Sequence, residues 1–170
     1  MLAKGPDPGA ILIQGAATGM YAEARSWPPV EILLVEDNPA DVALTEEALE
    51  QTHVPNRLHV VSDGTDALEF LHKRGPHADA PRPDIIFLDL NLPGKDGRRL
   101  LGEIKGDAAL AEIPVVVLTT SQDEGDILQA YRLHANCYIP KPVDFGQFLR
   151  IMSTIGEFWL GVARLPKASG

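Results

Sequence analysis

The chain has one cysteine, Cys137, in 170 residues. No intramolecular disulfide can form, which excludes the disulfide-framed secreted class and fits a reducing, cytoplasmic setting. No apolar run approaches the roughly 20 residues of a membrane span. ILIQGAA near the start is too short and interrupted for a signal peptide, although Lys4 precedes it. Positive charge is scarce: 15 Lys and Arg stand against 24 Asp and Glu, a net −9. Nucleic-acid binding selects basic faces, so the balance argues against that class, and an acidic surface serves solubility. There is no G-x-x-x-x-G-K-S/T, hence no P-loop to cradle a nucleotide. His53, His59, His72, His77 and His134 show no metal-ligand spacing and are expected at the surface.

Hydrophobic residues make up 45% of the chain, enough for the core of one domain. A domain of this length buries roughly 70% of its unfolded surface. Residues 1–29 are rich in Gly, Ala and Pro without a sustained period and read as a disordered leader, with Met20 as an alternative start. Trp27-Pro28-Pro29 marks the boundary. Residues 30–165 form the domain and 166–170 a tail.

From Val30 the pattern alternates. Short apolar runs at 30–35, 58–61, 84–89, 114–119 and 136–139 read as strands. Between them lie helical stretches: one capped by Asn38 with Pro39 at its first position, one carrying Leu68 and Leu71, and GRRLLGEIKG. A fourth is opened by a Ser121/Glu124 capping box, and the last runs from Asp144 to about Ala163. Five β-α units with strands apolar on both faces mean an α/β fold, a doubly wound parallel sheet covered on both sides. Sites in such sheets lie outside the carboxyl ends of the strands.

The strand ends carry the chemistry. The first delivers Glu36 and Asp37, the third Asp89, the fourth Thr119 and Thr120, and the fifth Lys141, just past Tyr138. Three carboxylates repel one another unless a cation joins them, and oxygen donors with water suit Mg²⁺. A lysine across the cluster could hold an anion arriving at Asp89. The set suits phosphoryl transfer without a nucleotide cradle.

VEDN, FLDLNLPGKDG, VVVLTTS and YIPKP together resemble the receiver domain of bacterial two-component response regulators. HKRGPHADAPRP and GEFWLGVARLP resemble the single-domain regulators that partner phytochrome-type sensor kinases. The resemblance implies a flavodoxin-like (βα)5 fold with strand order 2-1-3-4-5. It implies that Asp89 accepts a phosphoryl group from a histidine kinase phosphohistidine. Glu36, Asp37 and Asp89, with the backbone carbonyl of Asn91, would hold Mg²⁺, with Mn²⁺ as an alternative. Lys141 would pair with a phosphoryl oxygen and Thr119 would donate its hydroxyl, the order VVVLT-T favouring Thr119 over Thr120. Tyr138 would be the aromatic switch that swings inward as Thr119 moves. The Lys141–Pro142 bond is often cis in this family.

Such a protein is a phosphoacceptor that assists its own phosphorylation and dephosphorylation, not an enzyme. No output domain is expected, so the output is protein contact or onward phosphoryl relay. Two other readings stand beside this one. A haloacid-dehalogenase-like phosphohydrolase needs a second acid two residues after the nucleophile, where this chain has Asn91. A pseudo-receiver would not carry the complete set Asp37, Asp89, Thr119 and Lys141.

The last helix is apolar over too wide an arc. At about 100° per residue, Phe148, Leu149, Met152, Ile155 and Trp159 form one stripe and Ile151, Phe158 and Val162 a second beside it. Together they span about 200°, whereas packing on a sheet needs little more than 100°. The second stripe predicts a homodimer centred on it. The alternative is a monomer whose tail, GVARLPKASG, folds back over the stripe.

Overall fold

A computed structural model describes residues 28–94 and 96–166. The expected leader and tail therefore lie almost wholly outside the described residues.

Five strands form one parallel sheet in the order β2-β1-β3-β4-β5: β1 Val30–Val35, β2 Asn56–Val61, β3 Ile85–Leu88, β4 Val115–Thr119 and β5 Cys137–Pro140. The helices are α1 Pro39–Glu50, α2 Gly64–Leu71, α3 Gly97–Gly106, α4 Glu124–Arg132 and α5 Phe145–Gly156. This is the doubly wound, flavodoxin-like arrangement expected. Alternation along each strand sends side chains to two cores. Leu33, Val35, Ile86, Leu88, Val115 and Val117 pack with Phe70, Leu100, Leu101 and Ile104. Ile32, Leu34, Ile85, Phe87, Val116 and Leu118 pack with Leu49, Phe148, Met152 and Ile155. The strand order changes direction between β1 and β3, and their parallel pairing places their carboxyl ends side by side, Val35 opposite Leu88.

Several local expectations change. The α4 cap is Asp123, whose carboxylate accepts from the Gly125 and Asp126 N–H groups, and not Ser121. Ser121 Oγ is engaged by Asp126. No peptide bond among the described residues is cis, so Lys141–Pro142 is trans. His59 and His77 are not plain surface residues. Each ring lies 5.3 Å from that of Phe70, and each meets an acid at 2.7 Å, Glu31 and Asp66 respectively.

The last helix does not keep one period. After Gly156 it widens into a π-helical segment, Glu157–Val162. Each residue of the wider turn advances by less angle than an α-helical one, so the apolar ladder shifts phase. Leu160, outside both expected stripes, is the residue that turns inward, at 9% exposure. Ile151 and Trp159 pack at the margin of the core, as does Leu165 beyond the helix. Phe158 and Val162 remain about half exposed.

Candidate functional site

Each strand end is fixed by its neighbours. The N–H of Asp89 donates to the carbonyl of Val35, continuing the β1–β3 pairing one residue beyond β3. Gly97 lets α3 close on this turn: a Cβ there would lie 2.5 Å from the carbonyl oxygen of Asp89 and from the Cα of Leu90. Gly94, with φ +73°, supplies the left-handed step that brings the chain back to α3. Asn38 caps α1 by accepting from the Ala40 N–H at 3.0 Å, which sets the first helical turn beside the end of β1.

The side chains then meet. Lys141, 7% exposed, donates to three carboxylates: Glu36 Oε2, Asp41 Oδ2 at 2.8 Å and Asp89 Oδ2 at 2.8 Å. Glu36 and Asp89 are themselves buried, at 3% and 6%. Their remaining oxygens are also used: Glu36 Oε1 accepts from the Asn38 N–H and Asp89 Oδ1 from the Asn91 N–H at 2.9 Å. Burial pushes the Glu36 carboxyl above the usual carboxylate range, against the hydrogen bond and charge of Lys141. Burial also opposes the charge of Lys141, but the hydrogen bonds it donates to Asp41, Asp89 and Glu36 outweigh it and hold the ammonium above the ordinary lysine range.

Asn91 spans to the next strand. Its Nδ2 donates to Thr119 Oγ1 at 3.1 Å and to Thr120 Oγ1 at 3.0 Å. Thr119 is fully buried beside the acids while Thr120 is exposed. Tyr138 already points inward, at 9% exposure, and its hydroxyl donates to the Ser121 carbonyl at 3.0 Å. Burial raises the pKa of its phenol.

The structure thus brings Glu36, Asp89 and Lys141 into direct contact and ties Thr119 to Asn91. Asp37 stands exposed at the rim. Among the described residues no three His, Cys, Asp or Glu side chains form a ready metal-holding group; the acids converge on an ammonium.

Residues 32–153 match the family of response regulator receiver domains. The chain belongs to that family. It is 45% identical over 144 residues to response regulator Rcp1 of Synechocystis sp., covering 85% of this chain and 98% of Rcp1. Two solved structures superpose with a TM-score of 0.80, each covering 82% of this chain and 100% of the other. They are the phosphorylated cyanobacterial phytochrome response regulator RcpA, 51% identical, and the Mn²⁺-bound form of Rcp1, 45% identical. The bacteriophytochrome response regulator AtBRR follows at 40% identity and a TM-score of 0.64, covering 82% of this chain and 99% of that one.

The donor chemistry of this receiver fits a divalent cation. Glu36, Asp37, Asp41 and Asp89 together outnumber the one positive charge of Lys141 by three. All are hard oxygen donors, which suit Mg²⁺ and Mn²⁺.

Two parts of the receiver site were not expected from sequence. Asp41 lies on a helix, not at a strand end, yet it reaches Lys141 across 100 residues of chain. The only sequence signal is its place in the first turn after the Asn38 cap, four residues beyond Asp37. The second is a clamp between α3 and α4. Arg98 donates through Nε to Asp126 Oδ1 at 3.0 Å and through Nη2 to Asp126 Oδ2, while Ser121 Oγ donates to the same carboxylate. Ser121 N–H donates to Thr119 Oγ1 at 3.3 Å, so the clamp adjoins the site. No helix among the described residues is long and apolar enough to cross a membrane.

Proposed function

We propose that Asp89 is the phosphoacceptor of this receiver and that a sensor histidine kinase of the phytochrome type is its donor. A carboxylate oxygen of Asp89 attacks the phosphorus of phosphohistidine in line. A new O–P bond forms as the N–P bond breaks, and the electron pair stays on the imidazole. Lys141 passes a donor to a phosphoryl oxygen, and Thr119, whose oxygen accepts from Asn91 and Ser121, gives its own hydroxyl proton to another. Tyr138 and Thr119 make the switch pair. Glu36, Asp37, Asp89 and the carbonyl of Asn91 would hold Mg²⁺ or Mn²⁺. Bound there, the ion would neutralise the two anionic partners and orient the attack. The observation that carries this reading is the single ammonium of Lys141 shared by Glu36 and Asp89, two buried acids from different strands. The phosphorylated RcpA and Mn²⁺-bound Rcp1 support it.

On this reading the protein is a phosphoacceptor and not an enzyme, residues 30–165 are the receiver unit, and it works in the cytoplasm. A homodimer built on the outer side of the last helix, with Phe158 and Val162 at its centre and Ile151 at its inner edge, carries the output. Intact mass after incubation with acetyl phosphate and Mg²⁺ tests the core of the proposal. One phosphoryl group is gained, and Asp89→Asn or EDTA abolishes the gain. Rapid turnover of phosphomonoesters would point instead to a hydrolase, and no adduct to a receiver that does not use phosphate.

A further inference from the structure

An ammonium has three donors, and all three of Lys141 are committed to carboxylates: Glu36, Asp41 and Asp89. In this state none is left for a phosphoryl oxygen. While the donor approaches, Asp89 is still a carboxylate and still holds Lys141. One of the three bonds must therefore be given up before transfer, or the incoming anion enters without its cationic partner.

The three carboxylates are not equally replaceable. Glu36 is 3% exposed in its side chain, and its second oxygen is tied to the Asn38 N–H. Without a bound cation, releasing it would leave a desolvated charge without its partner, which is costly. Asp89 is the attacking group. The Asp41 side chain is 24% exposed, so water can take over its solvation when Lys141 leaves. It also sits in the first turn of α1, where the helix dipole favours its charge whether or not Lys141 is present.

We infer that Asp41 is a positioning residue: it occupies the third donor of Lys141 in the unphosphorylated protein and is the partner exchanged for the phosphoryl oxygen. Asp41 touches neither phosphorus nor leaving group and acts only through Lys141. No covalent step is added, only a hydrogen bond moved from one anion to another. The inference rests on Asp89 being the phosphoacceptor.

Asp41→Asn removes the competing charge and keeps the shape. Phosphorylation by acetyl phosphate in saturating Mg²⁺, followed by intact mass at several donor concentrations, reads the effect. A charge-assisted hydrogen bond at a partly exposed site corresponds to a half-saturating donor concentration lowered about three- to tenfold. Loss of an exposed charge could also ease the approach of any anion, but that long-range effect is screened by salt. The ratio between Asp41→Asn and wild type must therefore persist from about 0.05 to about 0.5 M salt, where the Debye length shrinks to a few ångströms. Asp41→Ser, with the same expected direction, guards against a peculiarity of the amide. An unchanged or raised half-saturating concentration in both variants, or a gain that vanishes in high salt, overturns the role of Asp41. If wild type forms no adduct, or Asp89→Asn still forms one, the phosphoacceptor reading itself fails.

Discussion

Lys141 and Asp89 lie 52 residues apart in the chain and 2.8 Å apart in space, joined by a buried hydrogen bond between opposite charges. The same ammonium serves Glu36 and Asp41, so removing it strands more than one acid. Lys141→Ala is expected to cost about 3–5 kcal/mol, as breaking a buried ion pair by deleting one partner does. Urea unfolding in EDTA measures it. Added Mg²⁺ should recover part of the loss, and recover more in the variant than in wild type, because a bound cation takes over the charge the lysine supplied. A variant as stable as wild type in EDTA would show that the three acids do not depend on the ammonium.

Gly97→Ala should destabilise by about 1–3 kcal/mol, the cost of forcing a methyl group into packed backbone. The methyl has backbone on its contact side, the Asp89 carbonyl and the Leu90 Cα, so the turn carrying Asp89 must shift. Denaturation should therefore fall together with the rate of adduct formation. Loss of stability with an unchanged rate would separate Gly97 from the site.

The clamp between α3 and α4 gives a pH prediction. Hydrogen bonds from Arg98 and then Ser121 hold the Asp126 carboxyl below the usual aspartate range. A depressed folded pKa contributes stability above the unfolded value and loses it as pH falls through the folded one. The Asp126 carboxyl carbon followed by NMR should titrate below an ordinary aspartate, and Arg98→Ala should move its midpoint upward. A midpoint unmoved by Arg98→Ala would mean that the clamp is open in solution.

The widened turn after Gly156 reverses an expectation about which apolar residues matter. Leu160→Ala should cost about 2–5 kcal/mol as a core truncation, whereas Phe158→Ala, at a half-exposed position, should change monomer stability by roughly 0.5 kcal/mol or less. Chemical denaturation at low protein concentration decides it; the opposite ranking would restore a continuous α-helix.

Phe158→Lys with Val162→Lys should convert a dimer to a monomer without unfolding it. Sedimentation at micromolar to high micromolar concentration, with and without phosphorylation, reads the outcome. A wild type that stays monomeric throughout removes the dimer.

The legible parts of the chain were those where one neighbourhood held the whole signal. Asp89 follows four apolar residues and precedes a Pro-Gly turn, so both its strand and its exit are local. Glu36 and Asp37 end one apolar run, and Lys141 stands between two prolines after another. Asp41 was hidden because its meaning depends on a partner 100 residues away. His59 and His77 were misjudged for the same reason, their acids lying 28 and 11 residues off. Ser121 and Asp123 both suited a helix cap, and only the competing pull of Asp126 on the Ser121 hydroxyl separates them. Leu160 escaped because a wheel of constant angle cannot register a change of helical pitch.

The position of β5 has a consequence for how the molecule comes into being. Among the described residues it is an edge strand, paired with β4, and the last of the five strands in chain order. The lysine next to it closes a contact with Glu36 across 105 residues, among the longest loops in the molecule to close. A form with β1, β3 and α1 packed and β5 undocked would gather Glu36, Asp41 and Asp89 with no ammonium among them, and their mutual repulsion would work against the compact state. Docking of β5 brings in the one ammonium and lowers that repulsion in a single step. An immature chain is therefore electrostatically marked as unfinished at the very place where it will later receive its signal.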